Sequence, residues 1–99
     1  MRAYKEKEKQ LFEAILRLKS PEDCEAFFED LCTRKELEQM VMRLSAAALL
    51  MQGETYTEVM RQVDISSATL SRVSRCVQYG AGYSRFALPS GEKPAEGKN

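Results

Sequence analysis

Helix-start signals recur along this chain at such short intervals that no helix between them can bury a core alone. Ser20-Pro21-Glu22-Asp23, Thr33-Arg34-Lys35-Glu36 and Thr55-Tyr56-Thr57-Glu58 each place a hydroxyl ahead of an acid in the following turn. The hydroxyl can accept a bond from one of the N–H groups left open at a helix start, and the acid complements the positive end of the helix dipole. Pro21 also carries the backbone angle that a first helical position requires. Gly53 and the Gly80-Ala81-Gly82 run supply stops. Between these marks the apolar residues recur every three or four positions and nowhere alternate as in a strand. The expected fold class is all-α.

The marks predict five helices and a terminal turn. A first helix over residues 3–18 carries Leu11, Ile15 and Leu18 among alternating Lys and Glu, and a second, from Pro21, carries Cys24, Phe27, Phe28 and Leu31. The capping box at Thr33 and Glu36 opens the longest helix, which runs to about Gln52. Leu37, Met40, Val41, Leu44, Ala47, Ala48 and Met51 form its broad apolar face, and the small residues at 45–48 admit a close neighbour. A second capping box, at Thr55 and Glu58, opens a short fourth helix expected to be buried through Val59, Met60 and Val63, and a fifth spans residues 67–78. Residues 83–88 are read as a last turn or docking segment. Residues 89–99 have no aliphatic side chain larger than alanine and are read as a disordered tail.

Ninety-nine residues suit one domain at the low end of what buries its own core, so completion of that core by a second copy is expected. No apolar run approaches the ~18 residues of a membrane span and no signal peptide opens the chain, which reads as a cytoplasmic protein. The three cysteines, Cys24, Cys32 and Cys76, lack a CxxC spacing and are expected to be buried free thiols. There is no histidine, which removes histidine-based acid–base, triad and zinc chemistry. The remaining carboxylates, lysines and thiols gather into no reactive set, so no enzyme and no metal are expected. Net charge is zero, yet its distribution is uneven. Residues 20–40 are acidic, whereas residues 55–88 hold Arg61, Arg72, Arg75 and Arg85 against Glu58 and Asp64.

Residues 55–78 meet the requirements of a helix-turn-helix: a short buried helix, a sharp turn and a second helix with one inward and one outward face. Asp64 stands at the turn and is a residue type that tolerates the left-handed region. Ile65 plugs the space between the helices, and Ser66 or Ser67 caps the second. Leu70, Val73 and Val77 point inward; at 100° per residue Ala68, Ser71, Arg72, Arg75 and Tyr79 lie opposite. Small side chains let a helix enter the major groove, serine and threonine bond base edges, alanine touches a thymine methyl, and arginine reaches guanine or phosphate. The candidate DNA-binding residues are therefore Arg61, Ser66, Ser67, Ala68, Thr69, Ser71, Arg72 and Arg75, with Arg61 directed at phosphate.

The stretch over residues 33–80, with Met51-Gln52-Gly53-Glu54 closing the long helix and the run Ile65-Ser66-Ser67-Ala68-Thr69-Leu70-Ser71-Arg72, resembles the tryptophan repressor family. The whole chain looks like its YerC/YecD-type branch. The resemblance implies a Trp-repressor-like helical bundle, an intertwined homodimer, and two recognition helices in successive major grooves of a pseudo-palindromic operator; the tryptophan repressor is itself a standard case of that geometry. It also implies a corepressor pocket, onto which Thr33, Arg43 and Arg72 fall. Val73, however, stands where the family's repressor has glycine, and a branched side chain there fills space the indole ring needs. Tryptophan is therefore not expected as a cofactor, and another small effector stays open. The expected organisation is N-terminal dimerisation helices over 1–32, the long helix with the DNA-binding region over 33–88, and the tail over 89–99. The expected function is a DNA-binding transcriptional regulator; the alternative is a helical protein-interaction adaptor that keeps the scaffold without reading DNA.

Overall fold

The computed structural model describes the backbone of residues 2–87 and the side chains of residues 4–87. These residues form six helices: α1 (Arg2–Leu16), α2 (Pro21–Leu31), α3 (Arg34–Met51), α4 (Tyr56–Gln62), α5 (Ser67–Tyr79) and α6 (Gly82–Phe86), with no strand among them. The expected tail at 89–99 lies outside the described residues. The chain divides into two compact units, Met1–Leu37 and Glu38–Asn99.

In the first unit local hydrogen bonds set the boundaries from the end of α1 onward. The expected extension of α1 to Leu18 becomes a tightened last turn, in which the Arg17 and Leu18 N–H groups bond the carbonyls of Ala14 and Ile15, each at 3.1 Å. Ser20 then caps α2, accepting the Asp23 N–H at 3.0 Å, while the Asp23 carboxylate accepts the Lys19 N–H at 3.0 Å. On α2 the Phe27 and Phe28 rings meet edge to face with centroids 5.4 Å apart. The Thr33 box forms in both directions: the Thr33 N–H donates to Glu36 at 2.8 Å, and the Glu36 N–H donates to the Thr33 hydroxyl at 3.1 Å.

The second unit holds the core. Ala46 and Ala47 of α3, Val59 of α4, Ile65 of the turn, and Leu70 and Val73 of α5 are buried against one another. Met42, Leu49, Leu50, Val63, Val77 and Tyr83 pack on the outside of this cluster. Two adjacent alanines with no exposed surface let α3 lie close against the α4–α5 pair, as the small-residue run predicts. The expected apolar face of α3 is covered over only part of its length: Ala47 and Met51 are buried, whereas Met40, Val41 and Leu44 are exposed. At 100° per residue Met40, Leu44, Ala47 and Met51 share a side, and the rest of the described chain covers α3 only towards its C-terminal end, through Ala46, Ala47 and Met51.

Met60 is likewise exposed, not buried as expected. A seven-residue helix has one inward ridge, and Val59 with Val63 fills it. The cysteines also correct their expectation: Cys24 and Cys76 are exposed and Cys32 is half-buried. α2 contributes no buried residue, and Cys76 lies outside the arc that Val73 and Val77 turn inward.

Two glycines meet specific backbone demands. Gly53 has φ 95° and ends α3 with paired bonds, Gly53 N–H to the Leu50 carbonyl and Glu54 N–H to the Leu49 carbonyl, both at 3.0 Å. Gly80 ends α5 in an extended conformation with its N–H on the Cys76 carbonyl at 2.9 Å. A methyl group added at Gly80 would sit 2.8 Å from that same oxygen, whereas one at Gly82 would meet nothing within 4 Å. Gly80→Ala should therefore cost about 1–2 kcal/mol in urea unfolding and Gly82→Ala no more than about 0.5. Equal costs would show that the close approach at Cys76 is unimportant.

Candidate nucleic-acid interface

α4, the link after it and α5 make a helix-turn-helix whose inner side is the core just described. The link is tighter than the composition suggests. Val63 is extended, with φ −124° and ψ 133°, and the Ile65 N–H reaches back over one residue to the Val63 carbonyl at 2.9 Å. Asp64 thus forms the centre of a three-residue turn. The left-handed conformation expected of it does not occur, since no residue other than glycine has positive φ among the described residues. The three-residue hydrogen bond turns the chain without it. Ile65 then inserts into the core as expected.

Of the two candidate caps, Ser66 serves. Its hydroxyl accepts the Thr69 N–H at 3.2 Å and donates to the Thr69 hydroxyl at 3.0 Å. The outer hydroxyls at the start of α5 are consequently those of Ser67 and, one turn on, Ser71, both exposed. Thr69 is half-buried, and its side chain is tied to Ser66. Leu70 and Val73 are fully or almost fully buried, and Ser74, which the periodicity leaves unassigned, is buried beside them.

Ala68, Ser71, Arg72, Arg75 and Tyr79 are all exposed, as helical geometry predicts. Ala68 to Arg75 spans about 10 Å along the helix axis at 1.5 Å per residue. α5 contains no acid, so neither arginine meets a carboxylate on its own helix. A rigid helix presenting small groups at its start and guanidinium groups further on can enter a groove, donate to base edges and neutralise phosphate.

Arg61 is exposed on α4 and held by Glu58. This arrangement departs from the expected second capping box. Thr55 does accept the Glu58 N–H, at 3.2 Å, but the Glu58 carboxylate reaches forward along the helix. One oxygen accepts from Arg61 at 2.7 Å and the other from Gln62 at 3.1 Å. Glu36 has Gln39 and Met40 at those offsets; Glu58 has Arg61 and Gln62. The signal was present in the i,i+3 and i,i+4 spacing.

The residues implied for an effector belong to different units. Thr33 belongs to the first, where its hydroxyl is used in the capping box. Arg43 and Arg72 belong to the second and are both exposed. Val73, which follows Arg72, is 2% exposed in the core cluster. Among the described residues no His, Cys, Asp and Glu side chains gather into a group that could hold a metal ion, and no helix is long and apolar enough to cross a membrane.

Comparison with known proteins agrees with this geometry. Residues 6–90 match the family described as Trp repressor protein. The chain is 44% identical over 79 residues to YerC, an uncharacterised protein of Bacillus subtilis (strain 168), covering 80% of this chain and 76% of that one. It is 41% identical to a candidate Trp repressor from Staphylococcus aureus of known crystal structure, with a TM-score of 0.75 over 78% of each chain. A TrpR-like protein from Eubacterium eligens ATCC 27750 gives the same identity and TM-score over 78% of this chain and 80% of that one. An all-helical fold, a helix-turn-helix packed on a long helix and a match over most of the sequence lead to one assignment: the chain belongs to the Trp repressor family.

Proposed function

We propose that this protein is a DNA-binding transcriptional regulator, a repressor, that acts as a homodimer on a palindromic operator. One observation carries the reading: α5 is fixed to the core by Leu70 and Val73 while Ala68, Ser71, Arg72 and Arg75 stand exposed on its other side. A recognition element must be rigid inside and open outside, and the family to which the chain belongs supports that use. Ser67, Ala68 and Ser71 enter the major groove, while Arg72 and Arg75 reach guanine or phosphate. Ser66 and Thr69 hold the start of the helix against the groove edge, and Arg61 faces the backbone. Residues 1–32 serve dimerisation and residues 33–88 carry the reading head. The protein is cytoplasmic and has no catalytic role.

Tryptophan is not the effector in this proposal. Val73 belongs to the packed core, and Arg72 is assigned to DNA, which leaves the family's corepressor arrangement without its space and one of its arginines.

Selection from random duplex DNA tests the reading. It should enrich a palindrome with half-sites about one helical turn apart, equally with and without tryptophan. On the enriched site Ser71→Ala should relax base preference. Arg75→Ala, present in both protomers, should weaken binding to every sequence about tenfold and lower the salt slope by about two. Enrichment of no site at low salt would refute DNA readout, and enrichment that requires tryptophan would refute the reading of Val73.

A further inference from the structure

The reading head has one cation on its first helix, and that cation is already engaged. Arg61 is the only base on α4; its side chain is 68% exposed and its guanidinium lies 2.7 Å from a Glu58 carboxylate oxygen. Glu58 itself is 34% exposed and is fixed from two further sides. Gln62 donates to its other oxygen at 3.1 Å, and its own N–H is anchored on Thr55 at 3.2 Å. The same start pattern at Thr33 sends the Glu36 carboxylate back to the Thr33 N–H, so Glu58 had an alternative use that the fold does not make of it. The first helix of a helix-turn-helix crosses the phosphate backbone, where a free arginine gains affinity and a carboxylate loses it.

Resting on the DNA-binding reading above, we infer that Glu58 is an affinity-limiting residue that competes with DNA phosphate for Arg61. In this role the pair keeps the sequence-independent share of binding low. Base contacts by α5 then form a larger share of the total. Phosphate contacts carry no sequence information, so removal of the competitor tightens binding to all duplexes alike. An exposed intrahelical pair of this kind is weak, so its release is worth about twofold per head and roughly fourfold for a dimer. The salt dependence moves further, because each new phosphate contact adds about 0.9 to the slope of log K against log salt.

The test needs no operator. Full-length wild type, Glu58→Gln, Arg61→Ala and the double variant are titrated against a mixed-sequence duplex of about three helical turns at several salt concentrations, with urea unfolding as the control for folding. Glu58→Gln keeps the Thr55 cap and should unfold like wild type. It should bind about fourfold tighter with a steeper salt slope, and Arg61→Ala should abolish both gains. An equal gain with and without Arg61 would reduce Glu58 to simple repulsion of phosphate and overturn the inference, as would no gain at all. If wild type binds but Glu58→Gln behaves identically, only this inference fails. If none of the four proteins binds duplex DNA, the DNA-binding reading fails with it.

Discussion

Leu70→Ala should lower the stability of the protein by about 3 kcal/mol, a large share of the roughly 5–15 kcal/mol that holds a small domain folded. Leu70 has no exposed surface and is among the largest fully buried side chains. It joins the cluster that holds α3, α4, α5 and the turn residue Ile65 together. Truncation removes three carbon atoms from contact and leaves a cavity that neighbours cannot readily fill. Ala46 and Ala47 are too small to extend into it, and Val59 and Val73 are stiff at the first side-chain torsion. Ser71→Ala, one residue later on the exposed face, should change stability by no more than about 0.5 kcal/mol. Urea unfolding followed by circular dichroism separates the two. Similar losses at both positions would show that α5 is not anchored as described.

This contrast along α5 was legible in the sequence, because a helix converts spacing into direction at a fixed 100° per residue. Leu70 and Val73 had to share a side, and Ser71, Arg72 and Arg75 had to lie away from it once capping set the helix boundaries. The caps were legible for the same reason: Ser20, Thr33, Thr55 and Ser66 each act on a partner three residues on. What spacing cannot decide is how much of one apolar face the rest of one chain will cover. On α3 Leu44 and Ala47 share a side, and hydrophobicity alone gives the bulkier Val41 and Leu44 precedence over Ala46 and Ala47. Close helix packing favours the alanines, and the alanines are the buried pair. Nor can spacing rank competing partners for one side chain. Glu58 was free to close a capping box or to pair forward, and a guanidinium one turn away draws a carboxylate more strongly than a backbone N–H does. Asp64 shows a third gap. Its composition suggested a left-handed residue, while a three-residue hydrogen bond achieves the same reversal.

The uncovered part of α3 leads to the second large effect. Val41 is 56% and Leu44 48% exposed, with Met40 beside them, so three apolar side chains within little more than one turn are exposed on the longest helix. α1 adds exposed Leu11, Phe12 and Leu16. Scattered surface leucines need no explanation, but stripes at helical spacing in a chain this short are the mark of a face meant for another surface. A second copy is the occupant proposed above, since a palindromic operator needs two heads, and its interface then extends beyond residues 1–32 onto α3. If so, Leu44→Glu should convert the protein from dimer to monomer, because a carboxylate pressed against an apolar partner face has no counter-charge and no water. Light scattering would read the change directly. DNA binding should fall with it by about a hundredfold or more, since one head alone loses the effective concentration that tethering supplies to the second. A chain that functions as a monomer would tolerate the same substitution within about 0.5 kcal/mol, as exposed positions generally do. The outcome that sinks the dimer is therefore specific: Leu44→Glu with unchanged mass, unchanged unfolding and undiminished affinity for the selected palindrome.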